Sequence, residues 1–171
     1  MYPGTHAKTK PDHPAYIMAA TSQVVTYQEL DEGSNRLAHL LRDAGLKRGD
    51  HIALMIENHP LFLQITWAAQ RSGLYYTAIS TRLSAEGAAY IINDCEARVF
   101  ITSDALREMA ADILTLTPEI KLRLMLDSSS DGYENYQQAV ASCPTGKIDD
   151  EAEGLDMVYS SGTNGQPKGV L

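Results

Sequence analysis

The sequence is poor in cysteine, in positive charge and in long apolar runs, and each shortage removes a class of protein. Cys95 and Cys143 are the only two cysteines among 171 residues, and neither belongs to a Cys-x-x-Cys pair or a Cys/His cluster. A structural zinc and a disulfide framework are therefore not expected. Against 22 Asp and Glu stand 14 Lys and Arg, a formal charge of -8, which argues against a general attraction to nucleic acid or to anionic membranes. Any anionic ligand has to be gripped by local groups. No run approaches the roughly 18 apolar residues of a membrane helix. Residues 1–10 hold Lys8 and Lys10 but no apolar stretch of a secretory signal. A cytoplasmic protein without a transmembrane segment is the expectation.

What is present is a globular composition, 44% hydrophobic and 21% charged, in a chain long enough to bury one ordinary core. Residues 15–20 and 24–26 flank the polar Thr21, Ser22 and Gln23, which predicts a short hairpin. Thr26 and Glu29 have capping-box spacing, Leu30, Leu37, Leu40 and Leu41 recur at helical intervals, and Gly45 is placed to end the helix. Strands are predicted over 51–56, 74–79, 98–102 and 122–126. Helices are predicted from Pro60 to Arg71, over 84–94, over 103–116 and, more briefly, over 133–141. This alternation points to an α/β fold, a largely parallel sheet flanked by helices. Residues 143–154, with Pro144, Gly146 and the acids Asp149, Asp150, Glu151 and Glu153, read as an exposed connector, and 155–159 as a last strand.

Directly after that strand come Ser160, Ser161, Gly162, Thr163, Asn164, Gly165, Gln166, Pro167, Lys168 and Gly169, the densest run of Gly, Ser and Thr in the chain. Gly162 and Gly165 can adopt backbone angles closed to other residues, which lets amide hydrogens converge on one anion. The hydroxyls of Ser160, Ser161 and Thr163 add donors, and Lys168 supplies a full positive charge. The P-loop of ordinary nucleotide hydrolases is excluded by spacing, because there Gly-Lys is followed by Ser or Thr, whereas Lys168 lies between Pro167 and Gly169. Composition alone also allows a plain surface turn between two strands.

The string itself goes further. Residues 159–170, YSSGTNGQPKGV, resemble the signature loop of the adenylate-forming superfamily, which includes AMP-dependent acyl-CoA synthetases, luciferases and peptide-synthetase adenylation domains. Earlier landmarks agree: VTYQEL at 25–30, GDHIAL at 49–54, and 73–83 followed by Ser84, Ala85 and Glu86. The form GLYYT at 73–77 is most similar to bacterial fatty-acid-CoA and carnitine-CoA ligases. Two departures stand out. Asn164 replaces the usual second Thr of the loop, and 77–83 lack the prolines and asparagine of a common form.

This resemblance implies an incomplete N-terminal subdomain over 1–171, the first part of a large N-terminal domain, with its strand and phosphate-binding loop at 155–171. It implies an enzyme that activates a carboxylic acid, of the fatty type, with MgATP as acyl-AMP and transfers it to coenzyme A. ATP, Mg2+ and coenzyme A are the implied cofactors, and ATP and the acid the partners. Ser160, Ser161, Gly162, Thr163, Asn164, Gly165 and Lys168 would line the phosphate site. Lys168 and Thr163 would carry the catalytic role, neutralising and orienting the departing pyrophosphate. Most other sites of such enzymes come later in sequence, so the 171 residues are expected to be an inactive fragment. An adenylating domain with another acceptor, and a non-catalytic α/β scaffold, remain alternatives.

Other chemistry-bearing residues read as ordinary. His6, His13, His39, His51 and His59 show no metal-ligand spacing, and Asp149 and Asp150 are neighbours without further ligands. Trp67, with Phe62 and Leu63, is expected on a core helix face, and Cys95 as buried filler.

Overall fold

A computed structural model describes residues 3–160 and 167–170. The chain opens with a helix that no apolar periodicity announced, α1 (Pro3–Thr9), which sets the His6 ring 4.8 Å from that of Tyr27. The expected hairpin follows as β1 (Pro14–Ile17) and β2 (Val24–Thr26). Helix α2 (Tyr27–Asp43) starts on a reciprocal cap: Thr26 Oγ1 accepts from the Glu29 amide at 3.2 Å while Glu29 Oε2 accepts from the Thr26 amide at 2.8 Å. Gly45, at φ 84°, ends it.

Beyond Gly45 the chain alternates between β3 (His51–Met55), α3 (Phe62–Arg71), β4 (Tyr75–Ala78), α4 (Ala85–Asp94) and β5 (Ala97–Ser103). A single 3-10 turn, Asp104–Leu106, leads into α5 (Arg107–Leu116), and β6 (Leu122–Leu126) follows. The short helix expected over 133–141 is divided. Glu134–Asn135 joins the sheet as β7, and only Tyr136–Val140 forms α6, capped by Asn135 accepting from the Gln138 amide at 2.9 Å.

Six parallel strands form the central sheet in the order β7-β6-β5-β3-β4-β8, where β8 is Leu155–Asp156. Period-two alternation sorts its side chains. Ile52, Leu54, Val99, Ile101, Leu124 and Leu126 pack against α2, α3 and α6. Ala53, Met55, Phe100 and Met125 pack against α4 and α5. Both faces are covered, which is why these strands read as near-continuous apolar runs.

Two further expectations change. Helix α3 is rotated from the phase assumed for it: Ile65, Ala68 and Ala69 are buried, Leu63 is exposed and Trp67 is half-buried. Small alanines let the helix lie close on the sheet, and Gln64 faces inward to donate to the Tyr136 hydroxyl at 2.9 Å. The acidic stretch at 149–153 is also more than a solvated run. Asp150 meets Arg42 at 3.1 Å and Glu151 meets Arg71 at 3.2 Å. Along 143–150 most side chains are exposed, yet Ile148 is buried. The backbone there is tied to α2 by Asn35 donating to Thr145 O at 2.7 Å and Arg36 donating to Cys143 O at 2.8 Å.

The buried Tyr133 donates its hydroxyl to Ala110 O at 2.8 Å and meets Phe100 edge-on. Burial pushes its phenol from 10.0 up to about 12. The folded protein then holds this proton more tightly than the unfolded chain, so the contribution is complete below pH 10 and disappears as pH rises through 12. Tyr133→Phe is expected to cost about 1 kcal/mol at neutral pH and to flatten the alkaline fall in stability. Urea midpoints collected from pH 8 upward check this, and an unchanged alkaline slope would contradict it.

Candidate functional site

The route to the Gly/Ser-rich loop begins at the C-terminal end of α3. There the chain returns as a strap, with Ala152 N donating to Arg71 O at 3.0 Å, Gly154 N to Gln70 O at 2.7 Å and Leu155 N to Leu74 O at 3.2 Å. Gly154 crosses so close that a Cβ would collide with the backbone oxygen and nitrogen of Leu74. Only glycine permits that crossing. The strap is held from below by the Arg71 guanidinium, which is buried. Its Nη2 donates to Asp31 Oδ1 at 2.7 Å, its Nη1 donates to Ser34 Oγ at 3.0 Å and to Asn35 Oδ1, and Glu151 sits on the opposite side.

From the strap, β8 adds to the sheet edge beside β4, and Met157 N extends the contact by donating to Tyr76 O at 2.9 Å. The strand expected over 155–159 is thus broken at Met157. Its second half, β9 (Val158–Ser160), leaves the sheet to pair antiparallel with β10 (Lys168–Val170). In that ladder Ser160 faces Lys168, Tyr159 faces Gly169 and Val158 faces Val170. Met157 and Tyr159 turn onto the α4 and α5 side of the core, while Val158 and Val170 stay exposed.

Tyr159 anchors the mouth of the loop. Its hydroxyl donates to Asp94 Oδ2 at 2.6 Å, at the end of α4, and Tyr90 donates to Asp94 Oδ1 at 3.5 Å. Burial, then the bond to Asp94, pushes the Tyr159 phenol well above its ordinary range, so it remains a neutral donor. A Cβ on Gly169 would lie 3.2 Å from Tyr159 Cζ and collide with the Met157 methyl, so the bare glycine makes room for both side chains.

Of the residues the sequence singled out, Ser160 and Lys168 are brought opposite one another at the two ends of the loop, and Ser160 Oγ lies 3.5 Å from Lys168 O. The Lys168 side chain is exposed and has no ion-pair partner among the described residues. Ser161, Gly162, Thr163, Asn164 and Gly165 lie outside the described residues. Among the described residues no three His, Cys, Asp or Glu side chains are grouped as metal ligands. A cavity of about 700 Å³ opens at the amino edge of the sheet beside Asp50, His51, Arg98 and Lys121, without touching the loop. Sequence reasoning missed Arg71 and Asp94. The signal for Arg71 was a cation on the buried stripe of α3, in step with Ile65 and Ala68. Asp94 gave none.

The family model described as AMP-binding enzyme matches residues 4–171. Crotonobetaine/carnitine–CoA ligase of Proteus mirabilis is 32% identical over 158 residues, covering 85% of this chain and 30% of that protein. Long-chain-fatty-acid–CoA ligase FadD13 of Mycobacterium tuberculosis is 30% identical over 172 residues, covering 96% of this chain and 33% of that protein. The inhibitor-bound crystal structure of the N-terminal domain of FACL13 from Mycobacterium tuberculosis aligns with a TM-score of 0.85 at 25% identity. That match covers 98% of this chain and 42% of that one. The chain therefore spans about a third of the length of the curated relatives it matches.

Arg71→Met keeps bulk but removes the cation, leaving Asp31 and Glu151 facing one another. A loss of about 3 kcal/mol is expected in urea unfolding, with near-wild-type stability as the contrary result.

Proposed function

This chain belongs to the AMP-binding enzyme family, and from that premise we propose that it is the phosphate-holding part of an ATP-dependent acid:CoA ligase acting on fatty or related acids. Two of the matched relatives are named for crotonobetaine/carnitine and for long-chain fatty acids, which supports that substrate class, while others are acetyl-coenzyme A synthetases. Because the chain spans about a third of them, the complete two-step reaction is proposed for the whole enzyme, and the grip on the phosphates for residues 155–171. A cytoplasmic enzyme is our reading, and no helix among the described residues is long and apolar enough to cross a membrane.

The chemical problem is that a carboxylate is a poor electrophile. MgATP supplies an adenylyl group that gives the acid a good leaving group, and coenzyme A supplies the accepting thiol. The residues of this chain would act on the phosphate side. The ammonium of Lys168 would offset charge on the departing pyrophosphate, and the hydroxyls of Ser160, Ser161 and Thr163 would donate to its oxygens. Gly162, Asn164 and Gly165 would let backbone amides close around the same oxygens. All of this orients and neutralises, and no covalent bond to the protein is needed.

One observation carries the reading: the β9–β10 ladder sets Ser160 directly across from Lys168. A hydroxyl donor and a cation thus stand at the two ends of one Gly-rich loop, on a protein whose overall charge of -8 would otherwise repel a polyphosphate. Calorimetry with MgATP tests it. Lys168→Ala is expected to weaken binding at least about tenfold, which is about 1.4 kcal/mol. Equal affinities in the two proteins would remove Lys168 from the site.

A further inference from the structure

Asp94 stands where a carboxylate is poorly placed. It is the last residue of α4, whose final turn holds no basic residue, and the partial negative charge at a helix C-terminus disfavours an anion there. A local rule broken without an obvious return marks a position with another task. The Asp94 side chain has such a task, because it accepts from two phenols, Tyr90 one turn earlier on α4 and Tyr159 from β9.

Among the described residues, the hairpin it meets is fixed chiefly by Met157 and Tyr159 packing on the core. Strands β9 and β10 contribute three residues each, β8 gives only two to the sheet, and an isolated two-stranded ribbon is marginal in water. Tyr159 is the residue through which both ends of the loop can be held together, since it precedes Ser160 in the chain and lies across from Gly169, the neighbour of Lys168. Its ring packs on the core, and the absence of a side chain at Gly169 allows β10 to lie against it. The platform beneath is firm, because Asn93 donates to Leu116 O at 2.9 Å and joins the end of α4 to the end of α5.

We propose that Asp94 is a positioning residue for the phosphate loop: by accepting the Tyr159 hydroxyl it sets where Ser160 and Lys168 stand. This rests on the phosphate reading above, and acts through Tyr159 without touching substrate. The elevated phenol pKa of Tyr159 agrees with a donor that keeps its proton throughout the physiological range. An asparagine at 94 would retain an acceptor oxygen, whereas alanine would not.

Two readouts separate this proposal from the reading it rests on. Backbone hydrogen exchange in 158–160 and 168–170 is expected to quicken about tenfold in Asp94→Ala and Tyr159→Phe, with β5 amides unchanged and Asp94→Asn close to wild type. MgATP affinity is expected to fall about threefold to tenfold in the first two variants and to be largely restored in the third. Unchanged exchange, or faster exchange with full MgATP affinity while Lys168→Ala loses it, would overturn the proposal. If Lys168→Ala has no effect on MgATP, the phosphate reading fails, and the exchange data still decide whether Asp94 anchors the hairpin.

Discussion

The guanidinium of Arg71 is buried, always charged, and shared by three stretches of chain that meet only in the folded state. Asp31, Ser34 and Asn35 approach from α2, Arg71 itself closes α3, and Glu151 arrives with the strap that leads to β8. A charge removed from water is tolerable only when it is paired and hydrogen-bonded, so none of these partners is free to drift without exposing a large desolvation cost. The backbone bonds of Ala152 and Gly154 to the end of α3 then hand that order on to the edge strand. The strap from Glu151 to Gly154 takes its position from this cluster.

The position so fixed is unusual for a sheet of this kind. Strands β4-β3-β5-β6-β7 follow a doubly wound order that reverses between β3 and β5, and ligands of such sheets commonly bind beyond the carboxyl ends of the strands at that reversal. Two side-chain contacts lie at that end of the sheet. Ser103 donates to Glu57, and His59 meets Asp127 at 2.9 Å across the end of β5. The loop-bearing hairpin β9–β10 instead follows the two-residue edge strand β8, outside β4.

Legibility in the sequence followed the range of the interactions. Helix α2 could be read residue by residue because its signals are local, a reciprocal cap at Thr26 and Glu29 and a glycine just past its end. Strands β3, β5 and β6 announced themselves as apolar runs. Helix α1 did not, since its buried residues are Pro3 and Gly4, neither of which favours a helical pattern. Trp67 was misjudged because size suggested the core, whereas the packing surface of α3 is built from Ile65 and two alanines. The split at Met157 depends on a pairing with Tyr76 far back in the chain, which no local pattern records. The loop drew attention by its string of residues and by its likeness to a family, while what Asp94 and Arg71 hold in place shows only once distant segments are brought together.

Between Gly154 and Tyr159 the chain behaves as a ruler. At one end a glycine is pinned in a crossing that admits no side chain, and at the other a phenol is pinned to α4. Faces alternate along an extended chain with a period of two, so adding or removing one residue here would turn Met157 and Tyr159 outward and Val158 inward. A change of length is therefore closed to the five steps that follow Gly154.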